Sequence, residues 1–323
     1  MNPIVEREKG LLELERRIAE LKTLSTSQNV DLSSQIALLE AEYSKIQQEI
    51  FGSLTPWQRV HMARHPKRPT AAEYLAKLDQ FDELHGDRYY RDDPAVIGGF
   101  AKLFGRRILA LGQQRGRDMK ENVKVNFGMV TPEGYRKASR LFALASRVGL
   151  PIVTFVDTKG ADPGIGSEER AQSEAIASAL YVLSESRVPS VSVIIGEGGS
   201  GGALALGLTD RILMLQHSIY SVAGPEAAAA ILWSDATKAD EAAAHLRLTS
   251  EDLLGFGIVD EVIPEPLGGA HRARDVTIER VLAAVDRHLD ELSASSSEQL
   301  RDGRYRKYRK IGSWREQSAP VLP

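Results

Sequence analysis

The sequence predicts an α/β protein made of repeated strand-strand-helix units. Three observations lead to this fold class. Two β-like runs flank a turn at Gly105 and Arg106, which is typical of a hairpin. After that hairpin, apolar strand-like runs alternate with helical patterns as far as the strand GIVDEVIPEP. Glycine-rich stretches join several of these strands to the helices that follow, as expected for an α/β protein.

The composition limits the class of protein. The chain has 323 residues, no cysteine and a formal charge of −3. Without cysteine there is no disulfide, thiolate nucleophile or cysteine-ligated zinc, so we expect no metal site in this chain. The N-terminal stretch lacks the apolar core of a signal peptide, and no run approaches the ~18 apolar residues of a membrane span. We therefore expect a cytoplasmic protein.

Residues 1–90 are predicted to form a helical region that packs against the main domain or another subunit. Apolar residues recur at three- and four-residue spacing from Val5 to Phe51, on either side of the polar stretch STSQNVDLSS. This pattern predicts a helical hairpin. Two short helices should follow, one starting at Pro56 and one starting after a capping box at Thr70 and containing EYLAKLDQFDELHG.

A basic cluster, RHPKRP, lies between these two short helices. It contains Arg64, His65 and Arg68. A solvated corner explains such a cluster, and so does a phosphate site if helix N-termini or further cations lie nearby. Both interpretations stay open at this point.

Residues 91–293 are predicted to form the main domain, and residues 294–323 a basic tail. The predicted elements of the main domain are the hairpin AVIGGFAKLFGRRILALGQQRG, the helix TPEGYRKASRLFALASRVGL, the strand PIVTFVDT, the helix SEERAQSEAIASALYVLSES, the strand VPSVSVIIG, the short helix GGALALGL, the strand RILMLQHSIYSVAG, the helix PEAAAAILW, a helical stretch at 235–254 and the strand GIVDEVIPEP. Within the tail, we expect YRKYRK to be frayed and solvated.

The stretch IGEGGSGG contains glycines at the spacing of a dinucleotide-binding loop. Such a loop needs an acidic residue about 20 positions later, where this chain reads SIYSVA, and a P-loop needs a lysine that is absent here. Successive glycines at a strand end instead allow adjacent peptide N–H groups to face one oxygen from a helix N-terminus, as in an oxyanion hole. A tight turn explains one or two glycines, but less well all of Gly198, Gly199, Gly201 and Gly202.

A second glycine-rich loop follows the preceding strand. It reads VDTKGADPGIGSEER from Val156 to Arg170 and also leads into a helix. Loops at the carboxyl ends of neighbouring strands face a shared crevice. We therefore expect the cleft to lie between these two loops.

A series of motifs points to a known family. RHPKRP is followed by FDELHGDR, RGR, NFGMVTPEGYRKA, VDTKGADPG, EERAQSEAIA, IGEGGSGGALALG and IPEPLGGAHR. In this order the motifs resemble those of the alpha subunits of the carboxyltransferase of multi-subunit bacterial acetyl-CoA carboxylases, which belong to the crotonase-like (ClpP/crotonase) superfamily. The resemblance covers nearly the whole chain and implies a fold of repeated ββα units.

The resemblance also implies a reaction and partners. The reaction is carboxyl transfer from carboxybiotin, tethered to a separate biotin carboxyl carrier protein, to acetyl-CoA, which gives malonyl-CoA in the first committed step of fatty acid biosynthesis. The implied partners are a beta subunit that carries the zinc, in an assembly of two alpha and two beta subunits, and a biotin carboxylase. In such enzymes the beta subunit supplies the oxyanion hole for the enolate oxygen of acetyl-CoA.

The resemblance assigns the catalytic role in this chain to Gly201 and Gly202, whose N–H groups would face the biotin ureido oxygen. Loss of one such donor costs about 3 kcal/mol of transition-state stabilisation. The biotin nitrogen is basic enough to take the thioester α-proton, so we expect no side-chain nucleophile. The other predicted site residues are Gly160, Ala161, Gly198 and Gly199 as pocket lining, Arg64, His65 and Arg68 as contacts for CoA phosphates, and Arg115 and Arg117 as contacts for CoA or for acids at the subunit boundary.

Several residues depart from the family pattern in loops expected to line the biotin pocket, within DTKGADPG and SVAGPEAAAAILW, and three of them are considered further. Lys159 replaces a proline, Asp162 a tyrosine and Ala227 a glycine. Three hypotheses stay open: neutral drift with Lys159 and Asp162 forming a local ion pair, a specialised second copy that resists an inhibitor of the housekeeping enzyme, and loss of activity. The intact Gly201 and Gly202 favour retained activity.

Two function classes remain as alternatives. A non-catalytic structural or nucleic-acid-binding subunit would account for RHPKRP and YRKYRK, although the overall charge of −3 argues against nucleic acid. A free-standing crotonase-like hydratase or hydrolase would need an acid or base in this chain, for which Glu168, Glu169 and Glu197 are the candidates. Under the main interpretation the chain binds acetyl-CoA, and we expect it to bind neither a membrane nor nucleic acid.

Overall fold

A computed structural model describes residues 3–312. Its helices are α1 Pro3–Gln28, α2 Ser33–Phe51, α3 Pro56–Ala63, α4 Ala71–Ala76, α5 Met119–Lys124, α6 Pro132–Val148, α7 Ile165–Glu169, α8 Gln172–Ser184, α9 Ser200–Gly207, α10 Pro225–Trp233, α11 Ala239–Leu246, α12 Ser250–Gly255, α13 Arg274–Ser293 and α14 Ser297–Arg309. Its strands are β1 Asp79–Glu83, β2 Val96–Leu103, β3 Arg106–Gln113, β4 Ile152–Thr158, β5 Ser190–Gly199, β6 Arg211–Leu215, β7 Ile219–Ser221 and β8 Glu261–Ile263. None of the helices within residues 3–312 is long and apolar enough to span a membrane.

The strands form one mixed sheet, in the order β1-β2-β3-β4-β5-β6-β8. The first three strands pair antiparallel, and those from β3 to β8 pair parallel. The amino half of β5 pairs with β6, whereas its last three residues, Glu197–Gly199, pair with β7. The predicted α/β class and the hairpin of β2 and β3 are confirmed.

Apolar side chains cover both faces of the central strands. In β4, Ile152 and Val156 belong to a core cluster with α6, α8 and α9, while Val153 and Phe155 belong to a second cluster with α4 and α13. Successive side chains of a strand point to opposite faces, so a run of buried residues serves two helical layers. Truncating a fully buried side chain such as Phe155 to alanine would cost about 3–5 kcal/mol.

The N-terminal helical hairpin is confirmed as α1 and α2, and it is anchored by Glu8. The Glu8 carboxylate contacts Nε2 of His65 at 3.1 Å and Nε2 of His271 at 2.6 Å, and the two imidazole rings stack at 3.7 Å. Burial raises the pKa of Glu8, but the hydrogen bonds from His271 and His65 outweigh it and lower the pKa to about 2. The Lys67 N–H donates a hydrogen bond to Nδ1 of His65. Nε2 of His65 therefore carries the ring proton and donates a hydrogen bond to the Glu8 carboxylate.

Several predicted elements differ from the structure. The helix predicted for SEERAQSEAIASALYVLSES is divided into α7 and α8 at Ala171, which has φ of 62°, and the helical stretch predicted at 235–254 is divided into α11 and α12. The helix after Thr70 has its capping box but ends at Ala76, and β1 replaces the helical continuation. Pairing of β1 with the edge of β2 satisfies the backbone there, so the tertiary context outweighs helix propensity. The single strand predicted for RILMLQHSIYSVAG is instead divided into β6 and β7.

The basic tail predicted at 294–323 is ordered as α14 over most of its described part. Arg304 is buried, donates to the carbonyl oxygens of Leu183 and Ser186 at 2.9 Å, and pairs with Asp210 at 2.9 Å. These contacts explain why YRKYRK is not frayed within the helix, because they hold one face of α14 against the domain. Residues 313–323 of the predicted tail lie outside the described residues.

Candidate active site

The two glycine-rich loops pack directly against each other at the carboxyl edge of the sheet, and the cavity beside α9 has no lining residue from the loop after β4, so a cleft between the two loops stays a prediction. A Cβ at Gly199 would lie 2.1 Å from the Lys159 carbonyl oxygen. A Cβ at Gly202 would lie 2.7 Å from both the Ala161 nitrogen and the Gly160 carbonyl carbon. Real side chains do not tolerate such distances to backbone atoms. Glycine at these positions is therefore required for the loop after β4 to contact the turn from β5 into α9.

Gly202 is enclosed on its remaining sides. Its carbonyl oxygen accepts a hydrogen bond from Nε2 of Gln113 at 2.8 Å, and the hydroxyl of Tyr135 would lie 2.7 Å from a Cβ. Gly198 has a similar packing role, since a Cβ there would lie 2.7 Å from the Tyr220 ring. These contacts fix the position of the main chain that enters α9.

The first turn of α9 has peptide N–H groups without a helical partner. The N-terminal N–H groups of any helix lack one, and Gly199 in the N-cap position provides no side-chain cap. Gly201 lines a cavity of about 410 Å³ whose other walls include the apolar side chains of Leu204, Val222 and Phe256. An acceptor in this cavity would therefore meet the positive end of a helix.

Ser200 is not among the predicted site residues, because no side-chain nucleophile is expected from the sequence. It is exposed and has φ of 55°, at the sharp turn between β5 and α9. It is also the central residue of a G-x-S-x-G pattern from Gly198 to Gly202, the arrangement of a nucleophile elbow. The pattern was visible in the sequence. The strained turn leaves Ser200 exposed and Gly201 partly exposed, whereas Gly202 is buried.

A network of charged side chains ties the surrounding loops together. Arg64, at the end of α3, binds both oxygens of Glu197 at 2.6 and 2.9 Å and contacts Glu226 on α10 at 2.6 Å. Burial would lower the pKa of Arg64, but the hydrogen bond to Glu197 and its charge raise it above its usual value. Burial raises the pKa of Asp157, whose Oδ1 contacts Arg115 at 3.3 Å. The network places Arg64 and Arg115 at the same edge as the glycine loops.

Comparison with known proteins identifies the family. The chain matches the acetyl co-enzyme A carboxylase carboxyltransferase-like family over residues 4–312. The chain belongs to this family. It is 51% identical over 313 residues to the acetyl-coenzyme A carboxylase carboxyl transferase subunit alpha of Thermus thermophilus, covering 97% of this chain and 99% of the relative. Identity to the subunit of the same name in Geobacter metallireducens is 50%, with 97% and 98% coverage.

Solved structures of a transcarboxylase and of a malonate decarboxylase share the crotonase-like fold of this family member. A transcarboxylase 12S structure with methylmalonyl-coenzyme A bound superposes with a TM-score of 0.54 at 20% identity, over 70% of this chain and 41% of that chain. A Pseudomonas malonate decarboxylase hetero-tetramer in complex with coenzyme A superposes with a TM-score of 0.56 at 18% identity, over 66% of this chain and 85% of that chain. The predicted fold class is confirmed, and the family favours the carboxyltransferase interpretation over the nucleic-acid-binding and hydratase alternatives.

Two of the basic residues expected to contact CoA phosphates are buried in this family member. Arg68 pairs with Glu265 at 2.5 Å and donates to the Ile195 carbonyl oxygen at 2.6 Å, and His65 is enclosed with Glu8. Burial raises the pKa of Glu265, but the charge of Arg68 outweighs it and lowers the pKa to about 2. His65 and Arg68 are therefore both occupied by partners within the chain, beneath β5, and their contacts with CoA phosphates stay a prediction.

The remaining predicted cations differ in their surroundings. Arg115 lies within the charged network, whereas the half-exposed Arg117 pairs with Glu73 of the capping box at 3.2 Å. Their roles toward CoA or a partner stay predictions. Glu197, one of the acids considered for a hydratase, is buried with both oxygens bound to Arg64 and so orders the loop.

The three departures from the family pattern occupy different environments. Asp162 accepts a hydrogen bond from the Ser167 hydroxyl at 2.5 Å, and Ala227 is exposed on α10. Lys159 is exposed and, within residues 3–312, has no carboxylate oxygen within 4.0 Å. The hypothesis of a local ion pair between Lys159 and Asp162 is therefore wrong.

Proposed function

We propose that this chain is the alpha subunit of a biotin-dependent carboxyltransferase that makes malonyl-CoA from acetyl-CoA. The carboxyl donor is carboxybiotin on a separate carrier protein, charged by a biotin carboxylase. The partner is a beta subunit that carries a zinc site and the second oxyanion hole, in an assembly of two alpha and two beta subunits in the cytoplasm. Family membership supports the reaction class, and the start of α9 carries the assignment of the site.

The observation that carries the proposal is the uncapped N-terminus of α9 beside an apolar cavity. An apolar cavity of about 410 Å³ suits a bicyclic ring with an aliphatic chain, and the N–H group of Gly201, which lines the cavity, suits its ureido oxygen; Gly202 is buried next to it, and its predicted role as a second donor stays a prediction. When bound, carboxybiotin supplies a transferable carboxyl group and a ureido group that accepts the negative charge left behind. The residues of this chain would therefore act by holding that charge at fixed donors, where it is stabilised without reorganisation.

Packing beneath the two glycines keeps these donors in place. The loop after β4 contacts Gly202 through Gly160 and Ala161, and the N–H of Gly160 donates to the Thr158 hydroxyl at 3.1 Å. The N–H of Gly160 is thus already bound, and the residue is not among those that line the cavity beside α9. The charged network around Arg64 holds the end of β5 from the other side. Preorganisation of this kind contributes to the rate because the donors need not move during the reaction.

Reconstitution with a beta subunit tests the proposal. Malonyl-CoA formation from acetyl-CoA and the carboxylated carrier protein should be measured for the wild type, Gly201→Pro and Gly201→Ala. Proline removes the N–H at a first-turn position that tolerates it, so kcat should fall about 10²–10³-fold. Alanine keeps the N–H, and its methyl group would lie 3.8 Å from the nearest atom of Ile176, so kcat should change only a few-fold.

Melting temperatures of the two variants serve as the folding control. No turnover by the reconstituted wild-type complex would contradict the proposed reaction. Equal activity of Gly201→Pro and Gly201→Ala, with both variants folded, would contradict the role of the Gly201 N–H.

A further inference from the structure

A second cavity, of about 670 Å³, lies on the opposite side of α8 from the cavity beside α9. Glu174 and Ser178 of α8 line it, whereas Ile176, on the other face of the same helix, lies 3.8 Å from a Cβ placed at Gly201. The two cavities share no lining residue. A ligand in the second cavity would therefore not occupy the predicted biotin pocket.

The lining of this second cavity is rich in cations. Arg88 lines it from the loop before β2, and Arg136 and Arg140 line it from α6. The hydroxyls of Ser139 and Ser178 lie 3.5 Å apart in the same wall. With the two carboxylates that also line the cavity, the net charge of the lining is +1. Guanidinium and hydroxyl donors around a solvent-accessible space are typical of a site for a phosphate or a carboxylate.

The three arginines differ in their partners. Arg136 pairs with Asp87 at 3.0 Å and with Glu133 at 2.9 Å, so its charge is compensated within the chain. Neither Arg88 nor Arg140 has a carboxylate oxygen within 4.0 Å among residues 3–312. These two guanidinium groups are therefore the ones available to an anion in the cavity.

Backbone carbonyl groups hold these two guanidinium groups in place. The His85 carbonyl oxygen accepts a hydrogen bond from Arg88 at 2.7 Å and from Arg140 at 3.2 Å, and the Gly86 carbonyl oxygen accepts one from Arg140 at 3.0 Å. Nε of Arg140 is buried without an acceptor in the described part of the chain. Burial lowers the pKa of Arg140, and the charge of Arg88 lowers it further. A guanidinium group has five N–H donors, so each arginine keeps donors for a ligand.

The loop that carries Arg88 is held in a strained conformation. Arg88 has φ of 73°, in the left-handed region that is unfavourable for a residue with a Cβ. Oδ1 of Asp87 accepts the N–H groups of Tyr89, Tyr90 and Arg91 at 2.8 to 3.1 Å and so fixes this conformation. Backbone strain of this kind is concentrated at functional sites, where it positions a side chain in advance.

We propose that this second cavity binds a phosphate group of an adenine nucleotide, held by Arg88 and Arg140. Two guanidinium groups that share a carbonyl acceptor present several N–H donors to the tetrahedral oxygens of a phosphate. The ring of Tyr89, which also lines the cavity and is 85% exposed, offers a face on which a base can stack. The phosphate comes from a free nucleotide or from the nucleotide end of CoA, and only the second source rests on the proposed function.

Calorimetric titration of the reconstituted complex with ADP tests the proposal. The variants are Arg88→Gln, Arg140→Gln, Glu174→Gln and the control Arg147→Gln, which removes an exposed arginine at the end of α6. Loss of either lining arginine should weaken ADP binding about tenfold, as expected for one charge-assisted contact. Glu174→Gln removes a carboxylate that repels the phosphate, so ADP should bind about two- to threefold more tightly. The control should bind as the wild type does.

Competition separates the two sources of the phosphate. If CoA displaces ADP, and Arg140→Gln weakens both, the site takes the nucleotide end of CoA. If CoA leaves bound ADP in place, the site takes a free nucleotide. A wild type that binds ADP in this way but forms no malonyl-CoA contradicts only the proposed reaction.

Three results would overturn the inference. They are no binding of ADP by the wild-type complex, an ADP affinity unchanged in both Arg88→Gln and Arg140→Gln, and weaker association with the beta subunit in these variants without an effect on ADP. Since Arg140 also holds the loop through His85 and Gly86, Glu174→Gln provides a check that leaves those hydrogen bonds intact. An ADP affinity that does not rise in Glu174→Gln would contradict a phosphate in this cavity.

Discussion

The loops after β4 and β5 pack against each other but are constrained in different ways. In the turn from β5 into α9, Gly199 and Gly202 are fixed by backbone atoms at distances that exclude a side chain. In the loop after β4, the side chain of Lys159 is exposed and unpaired within residues 3–312. The turn is therefore a scaffold that fixes the donors, while the loop offers a position whose side chain can vary without cost to packing.

Alanine substitution of the two adjacent glycines gives the largest contrast. Gly202→Ala should destabilise the protein by about 2–3 kcal/mol, because its Cβ meets the backbone of Gly160 and Ala161 at 2.7 Å. Gly201→Ala should stay within about 0.5 kcal/mol of the wild type, because its Cβ has room. Melting temperatures by calorimetry check both values. Equal shifts for the two variants would contradict the distinction between a packed and an open glycine.

A second contrast lies within the loop after β4. Gly160 has φ of 145°, so Gly160→Ala should cost about 1–2 kcal/mol even though no atom lies closer than 3.9 Å to its Cβ. The control is Gly166→Ala on α7, where φ is ordinary and the nearest atom belongs to the flexible Arg170 side chain. That variant should melt within about 2 °C of the wild type, as expected for about 0.5 kcal/mol or less. A Gly160→Ala protein as stable as this control would argue against backbone strain at the loop.

The smallest expected effect concerns Ser200. Its φ of 55° is unfavourable for a residue with a Cβ, so Ser200→Gly should stabilise the protein by about 0.5–1 kcal/mol. Ser200→Ala, which keeps the Cβ, should show no such gain. Comparing carboxyltransferase turnover of the two variants separates the hydroxyl from the backbone. A lower melting temperature for Ser200→Gly would show that its hydroxyl stabilises the turn more than the backbone strain destabilises it.

The fold and the meeting of the two loops could be predicted from the sequence because they depend on local patterns. Strand runs, helix starts at Pro132 and the glycines before Gly201 each leave a short-range signal. The ion-pair partners and the burial of Arg64 and Arg68 could not be predicted, since both arginines belong to one basic stretch of the sequence. Their partners, Glu197 and Glu265, lie 133 and 197 residues away, and only the folded chain brings them together.

Other differences arise from competition between local preference and tertiary contacts. The helix predicted after Thr70 is too long because β1 is stabilised by its neighbour β2, not by its own sequence. The basic stretch at the end of α14 has the composition of a solvated tail, but Arg304 finds carbonyl partners at the end of α8 and just after it. In contrast, the turn at Ser200 carries a recognisable signal that the prediction from sequence did not use.

The anchoring of the N-terminal hairpin has a mechanical consequence. Glu8 and Glu15 bind the first half of α1 to His271 and Arg272. The second half contacts α2 through the ion pair of Lys22 with Glu40. A helix of 26 residues is about 39 Å long, so the end of α1 that lacks these contacts is a lever arm attached through the first half of the helix. A protein that grips the tip would exert torque on the segment carrying His271 and Arg272, with the leverage of several helical turns.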